Sequence, residues 1–143
     1  MSGVRRFAPE ASGNFRWQEV DRLRYKDEGS APFKDVTRQV LFAPPDQAGE
    51  LRYFEIAAGG YSTLERHQHT HAVLILRGRG AVRIGSEQHA IHEHDLVTID
   101  PLTWHQFHAD ADGALGFLCL VSRERDRPQL PSADDLAPLR GST

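Results

Sequence analysis

Between Asp35 and Val121 the chain is cut into short runs of alternating or β-branched residues, each stopped by glycine, proline or a polar turn. That pattern admits little besides antiparallel β-structure. "DVTRQVLF" (Asp35 to Phe42) ends at Pro44 and Pro45. In "ELRYFEIA" (Glu50 to Ala57), Arg52, Phe54 and Ile56 alternate with Leu51, Tyr53 and Glu55, and Gly59 with Gly60 is expected to close the strand. "AVLILR" runs into Gly78 and Gly80, "AVRI" into Gly85 and Ser86, and "DLVTID" into Pro101, while "HQFHA" and "ALGFLCLV" flank the polar turn "DADG". The Gly85–Ser86 pair suits a two-residue hairpin whose first position needs a positive φ. About eight or more short strands spaced by turns predict an all-β sandwich or barrel, with no convincing amphipathic helix.

The flanks read differently. Residues 1–34 are expected to be an N-terminal arm and loop, loose as far as Phe15, with "KDEGSAP" (Lys26 to Pro32) as the loop before the first strand. Residues 35–122 form the barrel domain. Residues 123–143 are charged and proline-rich and are expected to be an extended tail. A chain of 143 residues accommodates one domain. Its net charge of −3 argues against a phosphate-backbone surface, so no nucleic-acid partner is expected. Cys119 is the only cysteine, which excludes an intrachain disulfide and a cysteine-rich metal site. No apolar stretch has the form of a secretory signal or the length of a membrane span, so a cytoplasmic protein without a membrane partner is expected.

The chemistry concentrates in "ERHQHTHAVLILRGRG" (Glu65 to Gly80). His67, His69 and His71 share one strand parity, and Val73 and Ile75 continue it into an apolar run. Imidazoles buried in such surroundings leave ring nitrogens unpaired, at about 1–3 kcal/mol each, unless something satisfies them. A cation does so economically, because neutral imidazole is a common metal ligand. His105, in "DPLTWHQF", is a further candidate ligand. His89, His92 and His94 occupy a polar hairpin and turn and are expected at the surface, and His108 has the opposite parity to His105. "DADG" lacks the later acidic positions of a calcium loop and reads as a β-turn.

The stretches "GGYSTLERHQHTHAVLILRGRG" and "HEHDLVTIDPLTWHQFHA" together resemble the paired motifs of the cupin superfamily. The likeness covers about Glu50 to Val121 and implies a single-domain antiparallel jelly-roll barrel. His67 and His69 match the H-x-H of the first motif, Gly78 and Gly80 its closing glycines, and His105 the histidine of the second motif. No glutamate follows the H-x-H at the usual spacing, where Val73 stands; counting back from Gly78 puts His71 at the third ligand position. That arrangement is similar to the four-histidine branch of small cupins, and "GFLCLV" resembles its last barrel strand. The resemblance thus implies His67, His69, His71 and His105 as ligands of one divalent transition metal: manganese, iron, nickel, copper or zinc. In the second motif, His94 and Leu102 stand where glycine is usual.

A flat strand would hold the Cα atoms of His67 and His71 about 13 Å apart. Nitrogens on one ion lie at most about 4 Å apart. Either the chain bends sharply at Thr70, as the resemblance predicts, or only two of the three bind with His105.

A metal in this barrel would polarise water, oxygen or a chelating small-molecule substrate. Val73, Ile75, Trp104, Phe107, Phe117 and Cys119 are expected to line the substrate pocket, with Cys119 as an oxidation-sensitive wall residue beside no identifiable base. The expected function is a small metal-dependent oxygenase, a dioxygenase-like oxidoreductase acting on a small organic substrate. Two rivals stay open: a metal-dependent lyase or isomerase with Tyr53, Tyr61 or metal-bound hydroxide as base, and a non-enzymatic ligand-sensing module. Glu65 reads equally well as a partner of the metal ligands or as a surface residue. Ala72, Leu74 and Leu76 form an apolar face opposite the proposed site, and the resemblance implies a homodimer.

Overall fold

In the computed structural model, which describes residues 2–24, 34–124 and 128–140, the period-two runs become strands at nearly the expected places. They are β1 (Leu23–Arg24), β2 (Lys34–Phe42), β3 (Gly49–Tyr61), β4 (His71–Arg77), β5 (Arg79–Ile84), β6 (Glu87–His92), β7 (Leu96–Ile99), β8 (His105–Ala109) and β9 (Leu115–Ser122). All pairings are antiparallel, in the order β6-β5-β8-β3-β9-β4-β7, with β2 added to the long strand β3 and β1 to β2. The sheet curls on itself as a cupin-type jelly roll. Its interior is a single apolar cluster that includes Val36, Ile56, Val73, Ile75, Val82, Ile99, Phe107, Leu115 and Phe117. No helix among the described residues is long and apolar enough to cross a membrane.

Parity sets what faces inward. Arg38 pairs with Phe54 and Phe54 with Phe117; Arg52 pairs with Cys119, and Cys119 with Val73. Successive rows of the interior wall therefore carry both arginines alongside apolar residues. The Gly85–Ser86 turn joins Ile84 to its partner Glu87, and Gly85 has φ +60°, as the two-residue hairpin requires. His94 (φ 76°) and Leu102 (φ 58°), the residues standing in glycine positions, both adopt the left-handed conformation that makes glycine usual there.

Three expectations are corrected. First, β3 does not close at Gly59 and Gly60. Gly59, at φ +75°, forms an irregularity through which the strand continues, so that Tyr61 pairs with His108 and ties the two halves of the roll together.

Second, the arm is not loose. Ala8 and Glu10 donate backbone hydrogen bonds to Arg16 and Asn14, each 2.8 Å, and the resulting hairpin lays Phe7, Phe15 and Trp17 over Tyr53. The backbone N–H of Phe15 donates to Glu55 at 3.2 Å, and Gln39 donates to the Phe15 carbonyl at 2.9 Å. Sparse aromatics without a period gave no local signal, since their partners lie on β2 and β3.

Third, the tail contains a helix, α1 (Ala133–Arg140). Ser132 caps it: the Asp135 N–H donates to the Ser132 hydroxyl, and the Asp135 carboxylate accepts from the Ser132 N–H at 2.9 Å. Before the helix, Gln129 and Arg66 exchange backbone hydrogen bonds of 2.7 and 3.1 Å, fastening the tail beside the pocket described below. The loop expected at Lys26 to Pro32 lies outside the described residues.

Candidate metal centre and its pocket

The loop between β3 and β4 solves the distance problem that a straight strand poses. The chain turns at Gln68 and His69, slightly earlier than Thr70, and β4 begins only at His71. His67, His71 and His105 are all buried, and each can offer a ligand nitrogen within 4.8 Å of the others. Their ring centroids lie 4.8 to 5.0 Å apart. His105 is held against this loop by reciprocal backbone hydrogen bonds with Glu65, 3.0 and 3.2 Å long.

Each of the three rings has its Nδ1 engaged. His67 Nδ1 lies 3.1 Å from the His69 carbonyl, His105 Nδ1 lies 2.9 Å from the Thr103 carbonyl, and His71 Nδ1 lies 3.3 Å from Cys119 Sγ. With the proton on Nδ1, donated to these acceptors, Nε2 of every ring carries the free lone pair. Such outer partners orient metal-binding imidazoles. The Nε2 of His71 is buried without a hydrogen-bond partner. A cation shared by the three Nε2 lone pairs would satisfy that nitrogen. The residues therefore fit a divalent metal.

Electrostatics points the same way. Burial, followed by the neighbouring rings of His105, His67 and His69, pushes His71 down to about 3 from an ordinary 6.5. His105 is also lowered, chiefly by burial, against an opposing pull from its Thr103 hydrogen bond and from Glu65. Both rings are thus neutral near pH 7, the protonation state a metal requires.

His69, expected as a fourth ligand, sits differently. It is half-buried and stacks on His67 with ring centroids 3.8 Å apart and planes within 5°. In-plane lone pairs of two parallel stacked rings do not meet at one atom, so His69 needs a side-chain rotation to ligate beside His67. His89, His92 and His94 are exposed, and His108 packs on Tyr61 outside the cluster.

The cluster closes one side of a pocket of about 270 Å³. Of the expected lining, Val73, Phe107, Phe117 and Cys119 are there. Ile75 and Trp104 are not. Ile75 is fully buried in the core further along β4, and Trp104, one residue out of phase with the inward His105, instead stacks under the Arg66 guanidinium at 4.5 Å. The rings of Phe54, Phe117 and Phe107 stack in series, 5.6 and 4.5 Å apart, to form an aromatic wall. Sequence reasoning missed Arg38, Arg52, Ser62, Thr63 and Pro128, and left the role of Glu65 open; all six line the pocket. Parity with Phe54 was a signal for Arg52. Nothing local marked Pro128, which the tail delivers.

The expected bases move elsewhere. Tyr53 lies under the N-terminal hairpin, fully buried and hydrogen-bonded to Glu55 at 2.8 Å, and burial followed by the Glu55 charge raises its pKa. Neither Tyr53 nor Tyr61 lines the pocket. The carboxylate on its wall is Glu65. Cys119 has the His71 imidazole beside it, with Nδ1 as the donor to Sγ, a contact that orients the ring and does not make it a base for the thiol.

Residues 52–121 match the family described as "Cupin domain". A curated relative, 1-methylthio-D-xylulose 5-phosphate methylsulfurylase of Rhodospirillum rubrum, is 60% identical over 136 residues, covering 95% of this chain and 86% of that protein. The chain is a cupin. Crystal structures agree: a cupin 2 conserved barrel domain protein from Rhodopseudomonas palustris superposes with a TM-score of 0.86 at 54% identity, over 97% of this cupin and 93% of the other chain. A cupin-2 domain protein from Rhodospirillum rubrum gives 0.85 at 58% identity, over 94% and 90%. The jelly roll of this cupin thus belongs to an architecture shared with these relatives along nearly their whole length.

Proposed function

We propose that this cupin removes the methylthio group from C1 of a phosphorylated 2-ketose, 1-methylthio-D-xylulose 5-phosphate, with a divalent metal held by His67, His71 and His105. The observation that carries the reading is the 60% identity, across 95% of the chain, to the Rhodospirillum rubrum enzyme that bears that substrate in its name.

When bound, the ion supplies positive charge that polarises an oxygen donor such as a ketone. The protein supplies the remainder. His67, His71 and His105 present Nε2 because their Nδ1 atoms are held by His69, Cys119 and Thr103. The aromatic wall of Phe54, Phe107 and Phe117 offers an apolar seat for the S-methyl group and keeps water from it. Glu65 is the carboxylate placed to hold a proton on the pocket side.

The reaction balances with an external thiol as acceptor. The C1–S bond breaks and C1 keeps its electron pair, beside the C2 ketone. C1 then takes up a proton and becomes a methyl group. The methylthio sulfur bonds to the thiol sulfur, whose own proton is released, giving a mixed disulfide.

Proton NMR tests this directly: metal-loaded protein with a small thiol should convert the substrate S-methyl singlet to that of a mixed disulfide, with a new C-methyl signal. Unchanged S-methyl intensity after many equivalents of enzyme-hours rejects the activity. The oxygenase reading is the second candidate, favoured by an all-imidazole set beside stacked aromatic rings. Oxygen consumption during turnover would favour it; turnover in anaerobic buffer would exclude it.

A further inference from the structure

Arg38 and Arg52 are the arginines of the pocket, and neither the metal cluster nor the aromatic wall uses them. They stand on adjacent strands, β2 and β3, on the inner face. Arg38 pairs with Phe54 and Val40 with Arg52, which makes the two arginines diagonal neighbours, about 7–8 Å apart along the backbone and within joint reach of one small ligand. Both line the pocket. The sheet separates them from the histidines by a definite gap. Arg52 and His71 are two strand spacings and two residues apart through β9, which corresponds to about 12 Å between Cα atoms. Their side chains and a five-carbon ligand can share that distance.

A guanidinium inside a barrel needs acceptors. Arg52 has one: Glu50 lies 3.0 Å away, with both side chains about 14% exposed. Arg38 differs, because its Nε is buried and has no hydrogen-bond partner among the described residues. Thr63, which also lines the pocket and is 2% exposed, likewise has an unpartnered hydroxyl oxygen. Buried polar atoms of this kind are rare in native folds and call for an occupant. A planar fork of N–H donors matches the oxygens of a phosphate monoester bidentately, better than it matches any neutral group. A hydroxyl such as that of Thr63 suits the sugar alcohols between the two ends.

We propose that Arg38 and Arg52 form a phosphoryl subsite, at the end of the pocket away from the histidines, which binds the terminal phosphate of a short sugar phosphate. Arg38 is the principal donor, and Arg52, positioned by Glu50, completes the charge. Thr63 takes a hydroxyl of the carbon chain. The assignment deepens the functional reading above and rests on it for the orientation of the ligand: reacting carbons toward the histidines, phosphate toward the arginines.

Isothermal titration of metal-stripped protein separates this subsite from the metal. D-xylulose 5-phosphate should bind wild type at least tenfold more tightly than D-xylulose, and inorganic phosphate should compete. Arg38→Met should lose that preference, tenfold or more for the phosphate ester, with little change for the free sugar. Arg38→Lys, which keeps the charge and loses the fork, should fall between and serves as the folded control, checked by circular dichroism. Equal affinity of Arg38→Met and wild type for the phosphate ester overturns the subsite. So does wild type that cannot tell the ester from the free sugar, or Arg38→Lys binding as tightly as wild type. The two proposals fail separately. Arginine-dependent binding without methylthio release leaves the subsite standing and rejects the reaction; methylthio release unaffected by Arg38→Met does the reverse.

Discussion

Acidification of the metal-free protein probes the histidine cluster where it differs most from solvent. His71 is 8% exposed, its Nε2 has no partner, and its pKa lies near 3, against 6.5 for an ordinary histidine. The unfolded chain therefore takes up a proton near pH 6.5 that the folded chain refuses until about pH 3. Folded-state stability is full above pH 6.5 and drains away as the pH falls through the window between the two values. Integrating the difference from pH 7 to pH 5 gives about 2 kcal/mol from His71 alone, or about 6 °C in Tm for a domain of this size. His105, lowered in the same direction, adds to the loss. The assay is urea unfolding in chelator at pH 7 and pH 5, followed by tryptophan fluorescence, for wild type and His71→Asn. The variant removes the titrating ring, so its loss on acidification should be smaller than that of wild type by about 2 kcal/mol. Equal pH dependence in the two proteins would refute the reasoning, because His71 would then be no harder to protonate folded than unfolded.

Other outcomes follow from the same geometry. Cys119→Ser keeps a polar atom next to His71 Nδ1 and should leave metal content unchanged, whereas Cys119→Ala should weaken metal affinity about tenfold by freeing the ring; competition with a chromogenic chelator reads both, and complete metal loss in the serine variant would contradict the role assigned to the thiol. Phe117→Ala removes a buried ring stacked on both Phe54 and Phe107 and should cost about 3–5 kcal/mol in urea unfolding; a loss below about 1 kcal/mol would mean that the wall is not packed as described. On the outer face, Leu74 and Leu96 are paired neighbours and Leu120 pairs with Ala72, and all three leucines are exposed, which supports the proposal that a second copy covers them. Light scattering should then give a dimer that Leu120→Glu dissociates, while a monomer at high concentration would reject it.

The strands were legible because the core chooses every second residue, and the alternation of Arg52, Phe54 and Ile56 records that choice directly. The first histidine motif was legible for a related reason: an imidazole run feeding a buried strand has few structural uses. What local pattern could not supply was the partner across space. Phe7, Phe15 and Trp17 have no period of their own and gain meaning only against Tyr53. Parity put Trp104 out of phase with His105, and that outweighs its closeness in sequence to the site. Arg38 and Arg52 carry no local mark of a pocket role, since a charged residue in an alternating run is usually exposed. Here the open end of the barrel turns that face into a pocket wall. The bend that gathers His67 and His71 falls in a stretch with no glycine or proline to announce it.

Metal stoichiometry tests the central claim most directly. Untagged protein, purified without added metal, loaded with one divalent ion and freed of excess by gel filtration, should carry about one ion per chain by inductively coupled plasma mass spectrometry. His105→Ala should carry essentially none. His69→Ala separates a stacked neighbour, which leaves the ion in place, from a fourth ligand, which does not. Wild type without metal, or His105→Ala retaining the full complement, would contradict a cation held by His67, His71 and His105.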